Sequence, residues 1–193
     1  MPWRGSAGHS QDNEIVDRIE DIGLVTQVAV FHNRRAFDKL TREYQSPVRR
    51  FFLGQTLGDT QLSDDLAQDT FVKAYTHIGQ FRGQSSFLTW LFRIAYNVFY
   101  DYTRGLRPTS DLDTPAVTGR SGGSGDGSLR MDLYDALQLL NDNERSCVTL
   151  QLMEGQPIEK ISEITGMPQN TVKSHLSRGK KKMATFLRAN GYG

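Results

Sequence analysis

The chain has 193 residues, of which 37% are hydrophobic and 23% charged, with a formal net charge of +1 at neutral pH. That length suits one domain or two small ones, and the apolar content excludes a wholly disordered chain. No apolar run approaches the roughly 18 residues of a membrane helix, the opening MPWRGSAGHSQDNE lacks a signal-peptide core, and the lone Cys147 excludes an internal disulfide, so a soluble cytoplasmic protein is expected.

In chain order, the first residues, through about Ser10, have the composition of a disordered end. Asp12 to Asp21 reads either as an extra helix or as overhang, so residues 1–24 are taken as an N-terminal extension. Strand alternation is weak throughout, and helical spacing recurs instead. Val25, Val28 and Ala29 lead into Ala36, Phe37 and Leu40, then Tyr44, Val48, Phe51 and Phe52. Leu62, Leu66, Phe71, Ala74 and Tyr75 follow, and then Phe87, Leu91, Ile94, Ala95, Val98 and Phe99, with Ser85 and Ser86 as caps for that helix. These spacings predict a helical domain over residues 25–106. From Arg107 the chain turns to Gly, Ser, Thr, Pro and Asp, which predicts a flexible linker over 107–129. Helical spacing resumes at Leu133, Ala136, Leu137 and Leu140, then Val148, Leu150 and Leu152, so a second domain spans 130–193. The expected fold class is therefore all-α: two small helical domains on a flexible linker.

Charge is unevenly placed. The charges from Gly58 to Asp69 are all acidic and those from Lys173 to Arg188 all basic. A near-neutral chain built this way can hold a protein with one face and nucleic acid with the other. In the second domain, Ile158, Ile161 and Ile164 share a face of a short helix predicted over 158–165. Gly166 suits the left-handed residue that ends a helix, and Pro168 suits the first turn of the next. The next helix puts Val172, Leu176, Gly179 and Met183 on one stripe and leaves Thr171, Lys173, Ser174, His175, Ser177 and Arg178 on the other. That is the pattern of a helix-turn-helix, either an ordinary helical hairpin with a solvated basic end or, as the coincidence of glycine turn, polar face and basic run favours, a DNA-binding unit whose polar face reads base edges while its cations neutralise phosphates. Lys180, Lys181 and Lys182 fit a solvated helix end as well as they fit phosphate contact.

The segment FRGQSSFLTWLFRIAYNVFYDYTRGLR interleaves aromatic rings with arginines, as a surface for unpaired bases requires. Phe87, Leu91, Ile94, Ala95 and Val98 lie on one stripe and read as core. Trp90 serves packing or base contact, and Phe81-Arg82-Gly83-Gln84 suits a small base-binding pocket. Before it, DDLAQDTFVKAY reads as an amphipathic helix with Leu66 and Phe71 inward and Asp64, Asp65, Gln68 and Asp69 outward. Its outer face is either solvated or a docking surface for a basic partner. There is no phosphate-cradling glycine loop and no nucleophile signature. Asp64, Asp65 and Asp69 are spaced as a helix face rather than a metal site, so neither catalysis, a metal nor a cofactor is expected. Cys147, among Val148, Leu150 and Leu152, reads as a buried, inert thiol.

From about Val25 to Leu187, interrupted only at the linker, the ordered motifs DDLAQDTFVKAY, FRGQSSFLTWLFRIAYN and TVKSHLSRGKKKM resemble the extracytoplasmic-function sigma factors of the sigma-70 family. The resemblance implies promoter-specific initiation with core RNA polymerase and promoter DNA as partners, commonly under an anti-sigma protein. It assigns Asp64, Asp65, Leu66, Gln68, Asp69 and Phe71 to polymerase binding. It assigns Phe81, Arg82, Gln84, Ser85, Trp90, Arg93, Tyr96 and Asn97 to melting and reading the downstream promoter element. Thr171, Lys173, Ser174, His175, Ser177 and Arg178 go to the upstream element. The chain departs from the family at His175, where arginine is frequent, and at HNRRAF, where a Gly-Asp pair is common. The alternative is a one-component helix-turn-helix regulator, which would need a ligand pocket and usually a dimer.

Overall fold

Two short polar breaks organise the first half of the chain. At His32 the backbone turns left-handed (φ 51°), and Asn33 accepts the N–H groups of Arg35 and Ala36 to start a new helix. At Leu57 and Gly58 φ is again positive (57° and 88°), and the Asp59 carboxylate accepts the Leu62 N–H at 3.0 Å. These breaks separate α1 (Gly8–Phe31), α2 (Arg34–Gln55) and α3 (Thr60–His77). A 3-10 turn (Ile78–Gln80) and a loop then lead into α4 (Phe87–Leu106). The structure, a computed structural model, describes residues 8–106 and 126–192, with side chains over 18–106 and 131–192.

The apolar stripes of α1 to α4 meet in one core. Phe51, Phe52, Phe87, Leu91 and Phe92 are fully buried there, joined by Val25, Val28, Leu40, Leu66 and Ala95. Phe51 stacks edge-on against Phe52, and its ring lies 5.9 Å from that of Phe92.

The second domain holds α5 (Asp126–Gln138), α6 (Asp142–Val148), a π-helical turn (Thr149–Met153), α7 (Ile158–Thr165) and α8 (Gln169–Ala189). Among the described residues every regular element is helical, and none is long and apolar enough to cross a membrane.

The structure differs from expectation in three places. The disordered opening expected through Ser10 gives way to helix from Gly8 onward, and α1 runs unbroken past Leu24, so the extension and the first domain share one helix. The expected linker lies outside the described residues as far as 125, and α5 begins at Asp126. Leu152, read as part of an apolar stripe, is 56% exposed, because the wider π turn rotates it away while Val148 and Leu150 stay buried.

A seam joins the domains, with α2 and α4 facing α6, α7 and the π turn. It is tight at two glycines. A Cβ on Gly54 would lie 2.8 Å from Thr149 Oγ1, and one on Gly58 2.7 Å from the Tyr134 ring. It is polar elsewhere. Arg50 makes a two-pronged pair with Glu154 (3.0 and 2.9 Å), and Ser146 Oγ donates to Gln55 Oε1 at 3.0 Å. Valine at Gly54 would strengthen α2 locally while driving a branched side chain into Thr149. Gly54→Val is therefore expected to enlarge the radius of gyration by small-angle scattering with helix content unchanged by circular dichroism. An unaltered radius would mean that the glycine does not set the closeness of the seam.

Candidate nucleic-acid and polymerase interfaces

The helix-turn-helix forms as its residues dictate. α7 buries Ile161 and Ile164, and Gly166 ends it with φ 72°. Ser162 Oγ donates to the Met167 carbonyl at 2.6 Å, and the Thr165 hydroxyl receives the Met167 N–H, which pins the turn. Pro168 stands at the N-cap of α8, which buries Val172, Leu176, Gly179 and Met183. The approach at Gly179 is close, since a Cβ there would come within 2.8 Å of Val148 Cγ2. Lys173, Ser174, Ser177 and Arg178 are exposed, and Thr171 and His175 half so. The structure thus brings all the predicted upstream-element residues to one outward face.

Behind that face sits a group the sequence reading missed. Glu144, its side chain 2% exposed, accepts Lys182 Nζ at 2.7 Å and faces Arg178 Nε at 3.6 Å. Its carboxylate also accepts the Asn141 N–H, while Asn141 Oδ1 accepts the Glu144 N–H at 2.9 Å, a reciprocal capping box at the start of α6. Burial alone would push the carboxyl up. Lys182, the Asn141 N–H and Arg178 outweigh it and hold the group below the usual carboxylate range. The available signal was Asn-Asp-Asn-Glu, the spacing of a capping box. Burial, then the Arg178 charge, lower His175 below its ordinary value despite Glu144, which favours the uncharged ring; its Nδ1 lies 3.2 Å from Arg178 Nη2.

In the first domain a cleft of about 480 Å³ opens between the end of α3, the loop after it and α4. Phe81, Arg82, Gln84, Ser85, Trp90, Arg93 and Asn97 all line it. Its floor is aromatic: Trp90 and Phe81 line it 5.7 Å apart, and both rest on the buried Phe87, which is 5.5 Å from Trp90 and edge-on to Phe81. Trp90, Arg93 and Asn97 fall on one side of α4 by their spacing of three and four. Lys73, His77 and Gln80 complete the wall. Sequence reading missed these three, because they belong to the preceding helix and turn. Of the two predicted caps, only Ser86 serves, receiving the Thr89 N–H at 3.2 Å, and Ser85 faces the cleft. Half-exposed rings with cations around the rim are equipped to stack a flat base and hold its phosphates.

Tyr96 is the exception. It lies about 100° around α4 from the cleft side, half-buried in the seam, with its hydroxyl 3.5 Å from Asn143 Oδ1. Burial there pushes its hydroxyl pKa up.

On α3, Asp64, Asp65, Gln68 and Asp69 are exposed while Leu66 is buried and Phe71 packs against the core. The two apolar residues seat the helix and the four polar ones form its outer face. Arg49 already holds Asp64, through Nε at 2.5 Å. Val72, 57% exposed, adds an apolar contact beside Gln68 that the reading passed over. Burial pushes the Cys147 thiol to about 12, so it supplies no thiolate.

Comparison with known proteins extends this picture. The pattern of Sigma-70 region 2 matches residues 40–109, and that of Sigma-70 region 4 matches residues 130–183. The chain is 30% identical to the RNA polymerase sigma-H factor of Pseudomonas aeruginosa, over 92% of this chain and 94% of that one. It is 32% identical to the ECF RNA polymerase sigma factor SigW of Bacillus subtilis, over 68% and 79%. Among solved structures, the sigma factor RpoE of Bartonella quintana, in complex with the anti-sigma factor NepR, superposes with a TM-score of 0.62 at 25% identity, over 79% of this chain and 96% of that one. CnrH, in complex with the cytosolic domain of CnrY, shares the fold with a TM-score of 0.67 at 22% identity, over 91% and 99%.

Proposed function

The chain belongs to the extracytoplasmic-function sigma factors of the sigma-70 family, and from that membership we propose how its own residues divide the work. As a sigma factor it binds core RNA polymerase and directs it to specific promoters. The division rests on one observation: a basic helix-turn-helix face and an aromatic, cation-rimmed cleft occur in the same chain.

The α8 face, with Lys173, Ser174, Ser177 and Arg178 leading, enters the major groove of the upstream element. His175, paired to Arg178, presents its other ring nitrogen to a base or phosphate. The cleft takes an unpaired base of the downstream element on Trp90 and Phe81, with Arg82, Arg93 and Lys73 against the backbone. Stacking contributes about 1–3 kcal/mol per base, comparable to the few kcal/mol that unstacking costs. Melting therefore needs no nucleotide hydrolysis by this chain, and it acts without being an enzyme. Tyr96 reaches the downstream element only after the seam parts. The outer face of α3, with Asp64, Asp65, Gln68, Asp69 and Val72, docks on the polymerase. Because core polymerase is its working partner, its place is the cytoplasm. An anti-sigma protein is a further partner, of the kind NepR is for the RpoE of Bartonella quintana. Family membership covers both domains and leaves no place for a one-component regulator.

The test is transcription by bacterial core polymerase on genomic DNA, with and without the chain, followed by mapping of RNA starts. New starts sharing two spaced upstream elements are expected, and Arg178→Ala should lower their use about tenfold. Full use of those starts by Arg178→Ala would remove Arg178 from the recognition face.

A further inference from the structure

We propose that the first helix acts on the cleft through Arg18, a positioning residue that holds the loop 81–86 in the shape that accepts an unpaired base. The inference rests on the reading of the cleft above. It assigns a task to a segment that precedes the stretch matching Sigma-70 region 2, residues 40–109.

The loop needs an external brace. Among the described residues, the one hydrogen bond to its middle, residues 82–85, comes from Arg18, whose Nη2 donates to the Gly83 carbonyl at 2.5 Å. Gly83 is left-handed (φ 66°), so its carbonyl is aimed by a backbone conformation that a side chain would strain. Ile22, one turn after Arg18, packs its Cδ1 3.6 Å from the position a Gly83 Cβ would take. One residue is thus gripped from α1 by a charged donor and an apolar side chain, while its neighbours Arg82 and Gln84 line the cleft.

The helix that grips is itself anchored. Asp21 is buried and accepts the Tyr44 hydroxyl at 2.6 Å, and Glu20 pairs with Lys39. The Tyr44 ring lies 5.4 Å from the buried Phe87, which supports Trp90 and Phe81 from beneath the cleft. The same turn of α1 therefore backs the packing under the floor through Asp21 and Tyr44, and holds the wall through Arg18. A wall ordered before the base arrives loses less conformational entropy when the base is captured.

The experiment uses the full chain assembled with core polymerase. Two DNAs are taken from a promoter mapped through its own RNA starts. One is intact duplex held closed in the cold, and the other is a fork whose downstream element is single-stranded. Arg18→Gln is expected to weaken fork binding about fivefold, the worth of one hydrogen bond, and to slow opening equally, with duplex binding within twofold of wild type. Arg18→Lys, which can still reach the carbonyl with a charged donor, should restore most of the loss. Gln84→Ala tests the underlying reading. If Gln84→Ala weakens fork binding and Arg18→Gln does not, the brace is wrong and the cleft stands. Equal weakening of fork and duplex by Arg18→Gln also overturns the brace, because the effect is then not on base capture. If neither variant changes fork binding, the cleft is not the capture site and both fall.

Discussion

Trp90→Ala leaves a polymerase that finds its promoter and fails to keep it open. The indole is the shared edge of the aromatic floor, in contact with both Phe81 and Phe87. Truncation removes the platform on which a base stacks, about 1–3 kcal/mol, and two ring contacts worth about 0.5–1.5 kcal/mol each. Half of that sum, about 1–3 kcal/mol, lost from the open state corresponds to about a 5- to 150-fold drop in open complexes. Permanganate reactivity of unpaired thymines at the downstream element measures it directly. Trp90→Phe keeps a ring and is expected within a few-fold of wild type. Duplex binding should hold for both variants, since the α8 face is in the other domain. Loss of duplex and open complex together, with a lowered melting temperature, would show that Trp90 serves the core alone.

The second large effect concerns stability. Glu144→Ala removes half of a capping box, a buried acceptor for Lys182 and the neighbour of Arg178. A lost cap and a lost charged hydrogen bond together destabilise by about 2–4 kcal/mol, readable as a lower urea midpoint. The pH dependence has a definite sign. The folded-state carboxyl is held low, so its stabilisation is fully present above the unfolded value of about 4.3. It is lost as pH falls through the lower folded value. Wild type should weaken across that acid range, and Glu144→Gln should lack that part of the slope. Without the carboxylate, Arg178 and Lys182 are also freer to meet phosphate. Binding of upstream-element DNA should then fall more steeply with salt, by about one unit of log K per log salt. An unchanged salt slope would mean that Glu144 stabilises the domain without restraining its recognition helix.

Much of this molecule is legible from local pattern, and the limits have physical causes. The span Ile158–Thr165 and the stripe Val172, Leu176, Gly179, Met183 emerge as read, because Gly166 and Pro168 mark the turn and the period is regular. The cleft residues on α4 and its loop were readable because aromatic and basic side chains are concentrated in one segment. Tyr96 stands apart from the cleft although sequence places it beside Trp90 and Arg93, and only the packing of the other domain reveals that its side of α4 is partly covered. Lys73 and His77 stayed hidden because the wall they form closes across a helix break. The Arg18 contact joins residues 65 positions apart, beyond the reach of any periodicity. Leu152 failed through geometry, since a π turn shifts the angular period on which the stripe was counted.

The bare backbone at Gly179 has a consequence for anyone wishing to rewire this protein. Recognition helices look interchangeable from outside, because specificity sits on the outward side chains. Here the inward side meets Val148 with no room for even one methyl group. A transplanted helix carrying alanine or serine at that register would have to stand off from α6 or tilt, moving Lys173 and Arg178 relative to the groove they address. On the proposed reading of the α8 face, promoter preference can be exchanged at positions such as 173, 174 and 177, while position 179 has to travel with the scaffold. In a library of chimeric factors, glycine at that position should sort the functional members from the silent ones before any base contact is considered.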